Sequence, residues 1–231
     1  MVPSRPGATV VPDPSRIALL RDRYLAAQLA GDRREALRLV MEEGLGQGIA
    51  VADLQAGVVQ AAQLALGELW QQNRISIAEE HMATAISNVV LSRLFENAPL
   101  RERLGHRMVV ACVPGEMHDF PARLVADYLD IAGFHVRYLG ANVPIDALAI
   151  MLCDTRPDLL ALSVTMTFNM AGFANTVRRV RAEMPGLPIM AGGNALHWEP
   201  EVAKAFGVAT CEPDSCSLVE TARRLIAESR R

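Results

Sequence analysis

The 231-residue chain is short of several things, and each shortage removes a class of function. Its four cysteines, Cys112, Cys153, Cys211 and Cys216, form no C-x-x-C pair. They are too few to staple a chain of this length and fit a reducing compartment rather than a disulfide framework. The single lysine, Lys204, sits in a plain helical stretch, so Schiff-base chemistry has no promising nucleophile. Excess positive charge is also missing: 23 Lys and Arg stand against 26 Asp and Glu, a formal net charge of -3. Such a balance offers no global field for a phosphate backbone and argues against autonomous binding of nucleic acid. No apolar run reaches the length of a membrane span, and no charged start followed by an apolar run and a cleavage site opens the chain, so the protein reads as cytoplasmic with no membrane partner. G-x-S-x-G, H-E-x-x-H and G-x-x-x-x-G-K-[ST] are all absent, and no enzymatic activity is expected. What remains, 51% hydrophobic and 21% charged, is the composition of a globular chain with a sizeable core.

Residues 1 to 15, with Pro3, Pro6, Pro12 and Pro14, read as a loose arm. From 16 to 97 apolar residues recur at helical spacing, as in Leu37, Val40 and Met41, or Val58, Ala62, Ala65 and Leu69. Four helices are expected: Asp32 caps the second, Gly44, Gly46 and Gly48 end it, and a third runs from about 52 to 72. Ser76-Ile-Ala-Glu79 is a capping box that starts the fourth. This is the pattern of a four-helix bundle. Residues 98 to 106, with Pro99 and a cluster of charges, read as a linker. From 107 to 231 apolar strands at 108–113, 135–139, 159–164 and 189–191, and a short one near 208–211, alternate with helices at 121–132, 145–153, 171–183 and from about 215. The fold class is therefore α/β: an N-terminal four-helix bundle and a C-terminal Rossmann-like, flavodoxin-like domain with five parallel strands. Ligands of such sheets bind at the carboxyl ends of the strands, which directs attention to the loops after strands one, three and four.

The first of these loops reads Pro114-Gly115-Glu116-Met117-His118-Asp119-Phe120-Pro121 and places an imidazole at the strand end, with carboxylates two residues before and one after. A carboxylate that accepts from one ring nitrogen fixes the tautomer and makes the other nitrogen a better metal donor, the chemistry of a single axial ligand. Taken alone, E-x-H also describes an ordinary loop histidine beside a solvated charge. After the third strand come Ser163, Thr165 and Thr167, short hydroxyl side chains able to hydrogen-bond an inserted ligand tail. After the fourth come Gly192 and Gly193, where missing side chains allow close approach of a backbone. The three features meet at one rim of the sheet in the right order.

Behind a four-helix module, E-x-H-x-x, S-x-x and G-G at these strand ends resemble the cobalamin-binding domains, whose motif is D/E-x-H-x-x-G. The resemblance covers roughly residues 17 to 225. It implies that His118 replaces the cofactor's own benzimidazole beneath cobalt, base-off and His-on. It also implies that the displaced nucleotide tail threads past Ser163, Gly192 and Gly193, with Glu116, Asp119 and Thr165 beside it. Trp70, nine residues, then Glu80-His81 is similar to the signature of CarH and LitR-type light-sensing cobalamin proteins, in which this end of the bundle covers the upper face of the corrin. The indole would pack on an adenosyl group while Glu80 and His81 hydrogen-bond its ribose or base. Adenosylcobalamin is then the expected cofactor, with methylcobalamin as the alternative. Taken without the α/β half, Trp70 reads as a core aromatic, Glu80 as a helix N-terminal carboxylate and His81 as a surface residue.

Departures from the pattern matter. Gln71 stands where CarH-type sensors carry a second histidine, Pro121 where the motif has glycine, and Thr165 where relatives often carry leucine. The DNA-binding helix-turn-helix of full-length sensors is not seen, so output is expected through a homo-oligomer or a separate transcription regulator, in the manner of AerR-type antirepressors. Two other functions compete: a corrinoid methyl carrier of a methyltransferase system, and a cofactor-free helical interaction module fused to a flavodoxin-like domain. A second chromophore, such as a bilin, would leave no trace in this reading. His197 and Trp198 read as packing at a helix entry, and His106 and His135 have no convincing ligand partners.

Overall fold

The structure, a computed structural model, describes residues 13–99, 101–211 and 215–230, the side chain at 215 excepted. It divides into two compact units, Met1–Ala98 and Pro99–Arg231.

In the first unit α1 (Pro14–Leu29) begins where the Asp13 carboxylate accepts from Ser15 N at 3.0 Å. The helix thus starts inside the segment expected to be an arm, with Pro14 in the first turn, where its missing N–H costs nothing; the rest of that expectation lies outside the described residues. Asp32 caps α2 (Arg33–Arg38) by accepting from Glu35 N at 3.0 Å. The helix continues through a π turn (Leu39–Gly44) and a 3-10 turn (Leu45–Gln47). The third helix is likewise composite: α3 (Val51–Leu54), a π turn (Gln55–Gln60) and α4 (Ala61–Gln71). The sequence pattern did not foretell the π turns. Their wider ring lets consecutive residues, Leu39 with Val40 and Val58 with Val59, all bury. α5 (Ile77–Glu96) opens on the expected capping box, with Ser76 N donating to Glu79 Oε2 at 2.7 Å and Glu79 N to Ser76 Oγ at 3.2 Å.

The second unit holds five parallel strands, β1 (Arg107–Cys112), β2 (His135–Tyr138), β3 (Leu159–Ser163), β4 (Ile189–Gly192) and β5 (Ala209–Thr210), in the order β2-β1-β3-β4-β5. The segment read as a linker is tied to this unit, since Leu104 N donates to Gly133 O at 2.8 Å and Arg103 Nη1 to Phe134 O at 2.6 Å. Between strands run α6 (Phe120–Ile131), α7 (Ile145–Thr155), α8 (Met170–Glu183), two short unexpected helices α9 (Asn194–Trp198) and α10 (Pro200–Ala205), and finally α11 (Ser215–Ser229). Helices α6 and α11 pack together on one face of the sheet, while Leu148, Leu152, Phe173 and Val177 of α7 and α8 join Val109, Leu160 and Leu162 on the other. Both faces are covered, which is why β1 and β3 are apolar at nearly every position. Strand order reverses between β1 and β3, so the loops leaving them diverge and open a crevice at the carboxyl rim. Register sets the three strand ends level: Cys112 pairs with Ser163, and Ser163 with Gly192. Among the described residues no helix is long and apolar enough to cross a membrane.

Candidate functional site

The loop leaving β1 is shaped by backbone hydrogen bonds before any ligand arrives. Gly115 N donates to Asn142 Oδ1 at 2.8 Å, Glu116 N to Val113 O at 3.0 Å, and Asn142 N to Glu116 O at 2.8 Å. These bonds turn the Glu116 side chain inward, where it is 0% exposed. Oε1 accepts from His118 N at 3.0 Å and faces His118 Nδ1 at 2.6 Å. Oε2 accepts from Thr165 N at 2.8 Å, Met166 N at 2.9 Å and Asn169 Nδ2 at 3.0 Å. Burial works to raise this carboxyl's pKa, but the donors from His118, Met166 and Asn169 outweigh it and hold the group at about 2. A permanently ionised carboxylate on Nδ1 keeps the proton there, so the lone pair belongs to Nε2, on a side chain that is 43% exposed. This is the arrangement of a lone axial ligand; among the described residues no cluster of three His, Cys, Asp or Glu forms a protein-only metal cage.

The second carboxylate of the loop does something else. Asp119 does not cap α6 with its side chain; Tyr138 Oη donates to its Oδ2 at 3.0 Å and to its carbonyl at 3.1 Å. Asn169, Asn142 and Tyr138 are the residues that sequence reasoning missed. They belong to no motif, and only the register of neighbouring strands brings them to the loop.

At the ends of β3 and β4 the groups that could hold a ligand tail lack partners of their own. Ser163 is 6% exposed, and its Oγ, like Thr165 Oγ1, has no hydrogen-bond partner among the described residues. Cys112, opposite Ser163 in register, offers only a thiol, whose pKa burial pushes up to about 12. Beside them Gly193 has φ +114°, and a Cβ there would lie 2.2 Å from Val164 O, so this turn accepts no side chain. Buried hydroxyls without partners next to bare backbone fit a polar tail that brings its own hydrogen-bonding groups. Met117 and Phe168 add exposed apolar surface on the loops after β1 and β3. Trp198, read as packing, is exposed at the end of α9.

In the helical unit, Trp70 occupies the last turn of α4 and Glu80 and His81 the first turns of α5. A short turn joins the end of α4 to the start of α5, and farther along Gln63 still meets Thr84 and Ser87, so the two helices run antiparallel and all three residues lie toward the turn. Glu80 is fixed: Thr84 Oγ1 donates to its Oε1 at 2.8 Å, and Gln63 Nε2 to Thr84 Oγ1 at 2.7 Å. Gln63 Oε1 in turn accepts from Gln28 Nε2 at 3.1 Å and Ser87 Oγ at 3.0 Å, and Ser87 Oγ meets Tyr24 Oη at 3.0 Å deep in the core. Glu80 is 20% exposed and His81, 3.7 Å away through Nε2, is 68% exposed. Gln71 is exposed as well.

Residues 106–213 match a family described as the B12 binding domain, and residues 20–94 match a second family of that description. Among curated proteins the chain is 32% identical over 145 residues to the HTH-type transcriptional repressor CarH of Myxococcus xanthus, covering 62% of this chain and 48% of that protein. It is 29% identical over 136 residues to Trimethylamine corrinoid protein 1 of Methanosarcina acetivorans, covering 57% of this chain and 62% of that one. The chain thus spans about half the length of the repressor and less than two thirds of the corrinoid protein. Its fold is that of the Methanosarcina barkeri monomethylamine corrinoid protein, with a TM-score of 0.73 at 20% identity over 91% of this chain and 98% of the other. Both units thus match B12 binding domains, and the carboxyl rim of the second brings a histidine, a serine and paired glycines together.

Proposed function

We propose that the protein is a light-responsive, cobalamin-dependent regulator, with His118 as the lower cobalt ligand, adenosylcobalamin as cofactor, and output through contacts with its own copies or with a separate transcription regulator. The observation that carries this reading is the end of the bundle: Trp70 is partly exposed, and Glu80 is held in place by Thr84 and Gln63 at a spacing shared with the light-sensing branch. Bound adenosylcobalamin supplies a cobalt–carbon bond that visible light breaks. The residues of this chain do the rest. Glu116 keeps the proton on His118 Nδ1 and the lone pair on Nε2. In the second unit Ser163, Gly192 and Gly193 would receive the nucleotide tail; in the first, Trp70 offers an indole face and Glu80 a fixed acceptor that would suit an adenosyl group and its ribose hydroxyls. Loss of a group that the bundle holds more tightly in one arrangement than in another shifts the balance between them.

A second reading, a corrinoid methyl carrier, is favoured by Gln71, whose exposed amide cannot take the place of an imidazole on cobalt after photolysis. Similarity to a corrinoid protein supports the same alternative. Reconstitution with adenosylcobalamin decides between them. The sensor reading expects the absorption spectrum and either the oligomeric mass or the binding of a regulator to change after green light. Identical behaviour in darkness and light, together with methylation of bound cob(I)alamin by a methyltransferase, refutes it in favour of the carrier.

A further inference from the structure

The strand order β2-β1-β3-β4-β5 leaves β2 at an edge, and among the described residues no strand pairs with its outer side. His135 N donates to His106 O and Leu139 N to Val110 O, both at 2.8 Å, which turns the amides of alternate residues toward β1. The main-chain groups of Val136 and Tyr138 therefore point to the open edge. Register fixes the side chains: Arg107 pairs with His135 and Val109 with Arg137, so all four face one side of the sheet. Val109 is covered there by α7 and α8, whereas Arg107, His135 and Arg137 are exposed, because that cover stops short of the amino ends of β1 and β2. They line a groove of about 570 Å³ that also takes in Arg103 and Asp130.

Other arginines of the unit sit beside carboxylates: Arg103 with Asp130 at 3.1 Å, Arg179 with Glu183 at 2.8 Å and Arg230 with Asp158 at 2.9 Å. Arg107 and Arg137 have no carboxylate partner among the described residues, in a chain whose net charge is -3. Like charges on neighbouring strands destabilise a sheet. Charges on an edge strand ward off pairing with other chains, which accounts for His135 and Arg137. It does not account for Arg107, which stands beside them on the interior strand β1. An anion between the two guanidinia relieves the repulsion and accounts for all three. Two free guanidinia are too few to hold a nucleic-acid backbone, and no Phe, Tyr or Trp lines the groove to stack on a base.

We propose that β2 and the arginines beside it form a docking edge for an acidic, extended segment of another protein. The segment adds to the sheet through the main-chain groups of Val136 and Tyr138, and its carboxylates at alternate positions meet His135, Arg137 and Arg107. A second copy of β2 is a poor occupant, since it would set Arg137 and His135 against their own kind. The edge lies at the amino ends of the strands, on the order of 15 Å along β1 from the carboxyl rim, so it stays open whatever occupies the rim. The inference goes beyond the proposed function and does not depend on it.

The test measures fluorescence anisotropy of a short labelled peptide in which glutamate alternates with valine, with no corrinoid added and in darkness, so that its outcome is independent of the sensor reading. The peptide is expected to bind at least about tenfold more tightly than its glutamine counterpart and to weaken as salt rises. Arg107→Gln and Arg137→Gln should each weaken it about threefold to tenfold, with melting temperatures unchanged or raised as the repulsion is relieved. Lys204→Gln, which removes the same charge from α10, should leave binding as it was. Methylation of the peptide's edge-facing amides should abolish binding. No binding of the glutamate peptide overturns the inference. Equal weakening by Lys204→Gln does so too, because net charge alone is then at work, and so does undiminished binding of the methylated peptide, because no strand is then added. Inorganic pyrophosphate or a DNA duplex that displaces the labelled peptide at lower concentration than its unlabelled form assigns the groove to phosphate and overturns the inference as well.

Discussion

Replacing Glu116 with glutamine removes a charge while keeping the shape, and the structure says which way the imidazole must respond. The carboxylate accepts from Thr165 N, Met166 N and Asn169 Nδ2 on one oxygen and from His118 N on the other, which also faces Nδ1. An amide has only one oxygen. If that oxygen faces His118, three N–H donors are left against an NH2 group in a fully buried site, at a cost of about 3–5 kcal/mol. Facing Thr165 instead keeps three bonds, weakened by loss of charge, and sets the NH2 against His118. The ring then escapes only by taking the other tautomer, accepting at Nδ1 and carrying its proton on Nε2. This second orientation costs less, about 2 kcal/mol for one lost charge-assisted bond and one poorly satisfied N–H. It also removes the lone pair that would ligate cobalt in the proposed complex. Glu116→Gln should therefore yield a folded apoprotein that binds cobalamin base-on or weakly. Two measurements check this: urea denaturation of the apoprotein, and electron paramagnetic resonance of bound cob(II)alamin after 15N labelling of histidine, where the axial nitrogen reports its origin. A variant with wild-type affinity and an axial signal still from labelled histidine would refute the tautomer argument.

Three further outcomes are expected. Gly193→Ala places a methyl 2.2 Å from Val164 O at φ +114°, so the α/β unit should lose at least about 3 kcal/mol in urea denaturation. Burial pushes the Asp127 carboxyl on α6 up to about 7, with Arg123 opposing and Asp130 adding to it. Because its folded pKa lies above its unfolded one, stability falls as pH rises from about 4 to 7 and is level above that. Asp127→Asn should flatten this slope and stabilise the protein by about 2 kcal/mol at pH 8, as read from melting curves across that range; an unchanged slope counts against the assignment. Thr84→Val cuts the bond to Glu80 and should reduce the preference for adenosylcobalamin over methylcobalamin about threefold to tenfold in competitive binding, leaving methylcobalamin affinity as it was.

Features written into local spacing were legible without the structure. The capping box at Ser76 and Glu79, the Asp32 cap, and strands buried on both faces follow from neighbours in sequence, and each stands in the structure within a residue or two of its expected bounds. The rim of the site was legible because strand ends mark it and a parallel sheet brings strand ends together. The donors to Glu116 Oε2 were not. Thr165, Met166 and Asn169 lie 49, 50 and 53 residues from it, and only the level register of β1 and β3 makes them neighbours. The π turns were hidden for a different reason: the extra residue per turn satisfies burial of adjacent apolar side chains, and a pattern read at 3.6 residues per turn sees an unbroken helix.

Glu80 and His81 are adjacent in sequence, and treating them as a pair gave them equal parts in holding an upper ligand. A helix separates neighbours by about 100°, so the two side chains cannot share an environment. Glu80 turns toward Thr84 and the hydrogen-bonded string that reaches Tyr24 in the bundle core, whereas His81 stands in solvent. Fixing the carboxylate would lower the entropy lost were it to accept a ribose hydroxyl, so selectivity for an adenosyl group should reside in Glu80. His81, 68% exposed and 3.7 Å from Glu80, is the side chain better placed to change position if such a group were to depart. Glu80→Gln should then lower adenosylcobalamin affinity in darkness, and His81→Ala should leave dark affinity intact while altering the spectrum reached after illumination. A loss of dark affinity in His81→Ala equal to that in Glu80→Gln would show the division of labour to be wrong.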